Sequence, residues 1–202
     1  MRTTSTLLAA AALALATPAV AQMAHGGAMQ PPAAQTHAAQ TDVTVGGMAM
    51  SPGKTIVANA VNSADHTTLV AAVKAAGLVD ALSGKGPFTV FAPTNEAFSD
   101  LPAGTVDTLV KPENTATLTT ILTYHVVPGD YSTTRLRALI LAGHGSAQLK
   151  TLQGETLTFT MNGSSNILVR DAKGGTADIT IADVNQSNGV IQVIDHVLMP
   201  TT

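Results

Sequence analysis

The chain has 202 residues, which allows one domain together with a leader or a tail. Hydrophobic residues make up 45% and charged residues 11%, a balance that supplies a core and excludes a disordered polyampholyte. Ten Lys and Arg against 13 Asp and Glu give a net charge of -3, and the basic residues do not cluster, which argues against nucleic-acid binding. The sequence contains no cysteine, which excludes thiol catalysis, disulfides and Cys-ligated metals.

The first residues have the pattern of a secretory signal peptide. Arg2 precedes ten uninterrupted apolar residues, Leu7–Ala16, and Ala19–Ala21 supplies the small residues of a cleavage site. We predict a signal peptide over residues 1–21, cleaved after Ala21, and therefore a secreted or periplasmic protein. Because ten apolar residues are too few to cross roughly 30 Å of hydrocarbon, no membrane span is expected.

Residues 22–53 are rich in Ala, Gln, Gly, Met, His and Pro and show no apolar periodicity, which is typical of a flexible leader. Two interpretations of this leader stay open: a spacer, or a copper-binding segment, because thioethers and imidazoles suit Cu(I). The candidate metal ligands are Met23, His25, Met29, His37, Met48 and Met50.

From residue 54 onward the pattern becomes regular, and its first half is helical. In Asp65–Ala76 the apolar residues share one face, Asp65 is placed to cap the start and Gly77 ends the segment. A second helix is predicted from Pro112 to Thr123. Shorter helical segments are predicted at Thr55–Val61, Leu78–Leu82, Asn95–Phe98 and Thr105–Val110.

The second half of the chain is strand-like. Residues 155–161 alternate polar and apolar side chains, Asn162-Gly163 offers a turn, and the alternation resumes at Ile167 and Val169. Further strands are predicted at Asp178–Val184 and Val190–Ile194, the latter buried on both faces, and an early one at Phe88–Phe91. Helices followed by strands predict an α+β domain over residues 54–202, with helices packed around a β-sheet core.

Three blocks of the sequence resemble the fasciclin (FAS1) domain. Gly86–Phe98 is similar to its first signature, Thr123–Gly129 to its central Tyr-His block, and Asn188–Pro200 to its second signature, in the same order and spacing. One departure is Gln192, where many members have His. The positions that carry the two signatures, and that we expect to be structural, are Phe88, Phe91, Pro93, Thr94, Phe98, Asn188, Gly189, Val190, Ile191, Ile194 and Asp195.

The resemblance implies a secreted, non-enzymatic adhesion or interaction module that contacts protein partners at a cell surface, a matrix or a host, and it implies no cofactor. In animal members an Asp-Ile pair and the Tyr-His block are associated with integrin binding. The matching candidate contact residues here are Asp178 and Ile179, and Tyr124 and His125. Integrin itself is not carried over, because the signal peptide and leader are bacterial in type.

The residues themselves leave two other interpretations of His125. Buried beside Tyr124, it is a structural hydrogen-bonding residue; as a general base it would need a nucleophile at a recognisable spacing, and none is found. The nucleophile elbow, the zinc-protease helix, the phosphate-binding loop and the dinucleotide turn are also missing from the sequence. The alternative function is periplasmic copper handling by the leader.

Overall fold

A computed structural model describes residues 43–201, in which a seven-stranded sheet and a separate two-stranded hairpin pack with short helices. The strands are β1 Val43–Val45, β2 Met48–Met50, β3 Phe88–Pro93, β4 Val126–Pro128, β5 Ser146–Lys150, β6 Thr156–Asn162, β7 Asn166–Arg170, β8 Thr176–Gln186 and β9 Gly189–Ile194. The strands of the large sheet run in the order β4-β3-β9-β8-β7-β6-β5, and only its β3–β9 pair is parallel.

The helices are short, and most of them lie in the first half of the described chain. Short 3₁₀ turns at Ala64–His66 and Pro112–Asn114 lead into two of them. The α-helices are α1 Ile56–Ala60, α2 Thr67–Ala75, α3 Val79–Ser83, α4 Asn95–Ser99, α5 Thr105–Leu109, α6 Thr115–Tyr124 and α7 Thr133–Ala142. The α+β class is therefore confirmed. None of the helices in residues 43–201 is long and apolar enough to cross a membrane.

Hydroxyl side chains cap the N-termini of three helices. Thr55, Thr94 and Ser132 stand in extended conformation, and each side-chain oxygen accepts a hydrogen bond from the backbone N–H three residues later, at 3.3, 3.3 and 3.4 Å. Thr94, one of the signature positions expected to be structural, thus caps α4. The predicted cap at Asp65 is wrong, because Asp65 lies inside the 3₁₀ turn and α2 begins at Thr67 without a side-chain cap.

Two hydrophobic clusters lie on opposite faces of β3 and β9, because side chains alternate along a strand. The helical cluster takes Val90 and Ile191 from these strands and packs them against α1, α2, α3 and α6. The sheet cluster takes Phe91 and Ile194 and packs them against α7 and strands β6 to β8. Residues 190–194 are between 0% and 6% exposed, so the prediction of a strand buried on both faces is confirmed.

The predicted leader of residues 22–53 is wrong over its last part, because β1 and β2 form a hairpin whose side chains enter the helical cluster. Val45 and Met50 are each 3% exposed. Gly46 and Gly47 make the two-residue turn at φ +58° and +74°, and a Cβ on Gly46 would lie 2.6 Å from Ser63 Oγ. Residues 43–50 therefore belong to the folded domain, while residues 1–42 lie outside the described part of the chain.

Candidate functional site

Tyr124 is part of the interior. It ends α6 with an exposure of 0%, and its hydroxyl donates to the Thr156 carbonyl at 3.3 Å and accepts from the Ala172 N–H at 2.9 Å. Burial raises the pKa of Tyr124 to about 12, against the opposing hydrogen bond from Ala172. The ring and the hydroxyl are thus occupied within the fold, and Tyr124 presents no side-chain surface to a partner.

His125 is equally enclosed, at 3% exposure. Its Nδ1 lies 2.8 Å from the Ile121 carbonyl, and its Nε2 accepts from the Leu198 N–H at 3.0 Å. These partners require the neutral tautomer with the proton on Nδ1. Burial lowers the pKa of His125 to about 4, although the Ile121 hydrogen bond and the Asp171 charge oppose the change. The burial of both side chains argues against the expectation that Tyr124 and His125 contact a partner, because a partner cannot reach side chains that lie inside the core.

The Asp178-Ile179 pair is divided between the interior and the surface. Ile179 is 6% exposed and belongs to the sheet cluster. Asp178 is half-buried on β8; its carboxylate accepts from Asn162 Nδ2 at 2.9 and 3.3 Å, and its N–H donates to Asp195 Oδ1 at 2.8 Å. Of the four candidate contact residues, only Asp178 therefore offers a functional group to the outside.

A histidine and two further carboxylates lie close to Asp178. His196 Nδ1 is 2.9 Å from Asp195 Oδ1, and its Nε2 is 3.8 Å from Asp100 Oδ2. The hydrogen bond to Asp195 raises the pKa of His196, and the charges of Asp195, Asp100 and Asp178 act in the same direction. We call this group of Asn162, Asp178, Asp195, His196 and Asp100 the acidic patch.

Two signature residues hold the fold together at the start of β9, the opposite end of the strand from the acidic patch. Asn188 Oδ1 accepts from the Ile56 N–H at 3.0 Å, while its Nδ2 donates to the carbonyls of Leu82 at 2.8 Å and Gly84 at 3.1 Å. A Cβ on Gly189 would lie 1.9 Å from the Phe88 carbonyl oxygen, so only glycine fits there. One turn residue thus ties α1 and α3 to the β8–β9 turn, a function that the spacing of the signature does not reveal.

Gln192, the departure from the signature, is 0% exposed and fully hydrogen-bonded. Its Oε1 accepts from the Asp183 N–H at 3.0 Å, and its Nε2 donates to Asp183 Oδ1 at 2.9 Å and to the Tyr131 carbonyl at 3.1 Å. The Asp183 carboxylate also accepts from the Thr133 N–H at 2.7 Å, at the start of α7. A buried polar network therefore joins β8, β9 and α7.

The copper hypothesis loses one candidate. Met50 is buried in the helical cluster, whereas Met48, two residues earlier, is 49% exposed. Their side chains therefore do not form an accessible pair. Within residues 43–201, no three His, Asp or Glu side chains come together as a possible metal site. Met48 stays an exposed candidate, and the other four lie outside the described residues: Met23, His25, Met29 and His37.

Comparisons with known proteins agree with this architecture. The model of the fasciclin domain family matches residues 64–200. Protein sll1483 of Synechocystis sp. is 45% identical over 167 residues, covering 83% of this chain and 85% of that protein. Cell surface glycolipoprotein MPB83 of Mycobacterium bovis is 36% identical over 162 residues, covering 78% of this chain and 64% of that one. The FAS1 domain pair of the insect cell adhesion molecule Fasciclin I has the same fold, with a TM-score of 0.64 at 19% identity, over 72% of this chain and 51% of that one.

Proposed function

Since the chain belongs to the fasciclin domain family, we propose that it is an exported, non-enzymatic interaction module that binds a protein partner at a cell surface or matrix through the acidic patch. The cell-surface placement in the name of its relative MPB83 supports export, as does the signal peptide predicted for residues 1–21. Because Tyr124 and His125 lie in the interior, a partner cannot reach them. Asp178, in the acidic patch, is the candidate contact residue that it can reach.

The fixed position of the Asp178 carboxylate is the observation that carries the proposal. Asp178 lies on a strand of the large sheet, its backbone is hydrogen-bonded to Asp195, and the next residue, Ile179, is anchored in the sheet cluster. Because these contacts exist before a partner arrives, binding does not have to order this carboxylate. The Asp178 oxygens keep lone pairs beyond those used by Asn162.

The charge of the patch indicates the chemistry of the partner. Asp178, Asp195 and Asp100 surround one histidine, so the patch is negative whenever His196 is neutral. A partner surface that carries arginine or lysine would form charge-assisted hydrogen bonds with these carboxylates. We therefore expect the partner to be a protein with a basic contact surface.

A cell-binding assay with matched charge reversals tests the proposal. Labelled wild-type protein should bind saturably to cells of the organism that produces it, and protease treatment of the cells should remove the binding. Asp178→Lys should weaken binding at least ten-fold, whereas Asp80→Lys, the same change at an exposed position of α3, should not.

Thermal unfolding provides the control for the charge reversals. Asp178→Lys loses the hydrogen bonds from Asn162, and Asp80→Lys places a cation in the first turn of α3, so each variant should lose about 1 kcal/mol and stay folded. Equal binding by the two folded variants, or binding that never saturates, would contradict the proposal.

A further inference from the structure

An apolar cavity of about 110 Å³ lies within the helical cluster. Helices α1, α2 and α3 cover it from one side, and β3, β4 and α6 form its floor. Its deepest walls are formed by buried side chains, including Leu69, Val73, Leu82, Val90 and Leu122. The space is thus enclosed by the aliphatic side chains of several separate elements.

The chemistry of the walls keeps this cavity dry. Apart from one lysine, His125 is the only lining residue with a polar side chain, and both of its ring nitrogens are engaged by backbone groups, so it presents ring carbons to the cavity. A buried water needs two to four polar partners, and an apolar cavity without them stays empty or takes an apolar ligand. An alkyl group would restore dispersion contacts that the lining side chains lack.

The cavity also reaches the surface, and its mouth carries a positive charge. Val57 and Val70 are half-buried, Val61 is 48% exposed, and exposed Lys74 is the single charged residue of the lining. A ligand that enters between α1 and α2 would therefore bury its tail among aliphatic side chains and leave its head beside the Lys74 ammonium.

We propose that this cavity binds a short aliphatic monocarboxylate of about six carbons, with the alkyl chain inside and the carboxylate at Lys74. A cavity of roughly 150 Å³ holds benzene, so about 110 Å³ has room for most of a six-carbon chain but not for a long acyl tail. The charge of Lys74 selects an anion over a neutral or cationic head. The site is separate from the acidic patch, and its test does not depend on the proposed protein partner.

Methyl NMR titrations of the full chain test the site with three probes of equal length: hexanoate, hexan-1-ol and hexylammonium. Hexanoate should shift the methyl signals of Leu69, Val73 and Leu82 with a Kd on the order of 1 mM. Hexan-1-ol should bind about three-fold more weakly and hexylammonium more weakly again, because an exposed ion pair contributes modestly. The methyls of the sheet cluster, such as Leu157 and Val169, should not move.

Three variants distinguish the cavity from general surface binding. Lys74→Met removes the charge from an exposed position and should make hexanoate and hexan-1-ol bind equally. Val70→Phe and Ala60→Leu each fill the cavity from a half-buried position and should weaken hexanoate binding at least ten-fold. If a filling variant fails to fold, the other one and the exposed Lys74→Met decide.

Several outcomes would overturn the proposal. No methyl shift with hexanoate at about ten times the expected Kd would remove the site. Equal binding of hexanoate and hexylammonium to the wild type, or unchanged hexanoate binding in a folded filling variant, would also contradict it.

Discussion

The helical and sheet clusters share β3 and β9 but differ in how closely their side chains pack. In the sheet cluster Phe91 and Phe159 are 0% exposed, with ring centroids 5.3 Å apart. In the helical cluster Leu69, Val73 and Leu82 are 7% to 8% exposed and line the cavity of about 110 Å³. Consecutive strands and the ten-residue α7 close one side, whereas α1, α2 and α3, of five, nine and five residues, leave space on the other. Strand pairing together with α7 therefore produces the sealed side, whereas the short helices α1 and α3, packed beside α2 and α6, leave room for a ligand on the other.

Two isoleucines on β9 provide the strongest test of this difference. Ile194 is 0% exposed in the sheet cluster, whereas Ile191 is 6% exposed and borders a void of about 10 Å³ that Met50 also lines. Ile194→Ala should cost about 4 to 5 kcal/mol, because the closely packed residues around it cannot move into the space it leaves. Ile191→Ala should cost only about 2 to 3 kcal/mol, because the flexible side chain of Met50 can move into that space.

Urea unfolding of both variants at constant m-value measures these costs. Equal losses for Ile194→Ala and Ile191→Ala would mean that the two clusters are equally able to relax. A smaller loss for Ile194→Ala would reverse the assignment of the sealed side.

Removal of the N-terminal hairpin sharpens the comparison on the helical side. A chain that begins at Lys54 lacks Val45 and Met50, two buried members of the helical cluster. We expect it to lose about 3 kcal/mol relative to a chain that begins at Thr41, since burial of each side chain contributes about 1.5 to 3 kcal/mol and ordering the hairpin offsets part of it. Chemical unfolding of both chains measures the loss, and identical stability would restore the leader boundary expected at residue 53.

The sequence predicts the strands behind the first of these tests but not the hairpin behind the second. The alternation in residues 155–161 predicts β6, and the β9 pattern predicts burial on both faces, because both are local signals. The hairpin had a local signal as well, Gly46-Gly47 between short apolar alternations, but the composition of residues 22–53 obscured it. Helix α7 was not predicted, although Ser132, the residue that caps its start at Thr133, is a common helix-capping residue type.

The candidate site was less predictable, because it depends on residues far apart in the chain. The Asp-Ile pair indicates Asp178, but nothing local places Asp100 near His196. The pairing of Gln192 with Asp183 depends on the irregular register of β8 and β9. Cavity volume depends on how the helices meet, which no periodicity in a single sequence specifies.

Acid should destabilise the domain through its interior histidines. The pKa of His125 is lowered to about 4 in the fold from an ordinary 6.5, so the unfolded chain binds a proton that the folded chain does not. Stability is therefore unaffected above about pH 6.5, falls as the pH drops, and is reduced by about 3 kcal/mol near pH 4 from this residue alone. Burial also lowers the pKa of His66, although a backbone hydrogen bond with Ala92 and the charge of Asp65 oppose the change, and this adds to the effect.

The pH dependence can be assigned to His125 by substitution. His125→Leu should cost about 1 to 3 kcal/mol at pH 7, because the Leu198 N–H loses its acceptor, and should lose stability less steeply between pH 6.5 and 4 than the wild type. His66→Leu is the matched control for the second histidine. Parallel stability curves for wild type and His125→Leu would show that His125 does not carry the effect.

The surface histidine should respond to pH in the opposite direction and much more weakly. The pKa of His196 is raised by Asp195, so its stabilising contribution is full below about pH 6.5 and is lost as the pH rises through the raised pKa. Because its side chain is 54% exposed, His196→Gln should change the free energy of unfolding by less than about 1 kcal/mol at pH 6 and leave it unchanged at pH 9. Urea midpoints at the two pH values check this, and a larger effect at pH 9 would contradict the assigned sign.

Xenon binding measures the packing difference between the two clusters most directly, because xenon enters dry apolar cavities without needing a polar partner. In crystals of the protein under xenon pressure, we predict a xenon atom between Leu69, Val73 and Leu82 in the helical cluster, and none between Phe91 and Phe159 in the sheet cluster. A helical cluster without xenon, or xenon bound within the sheet cluster, would contradict the account.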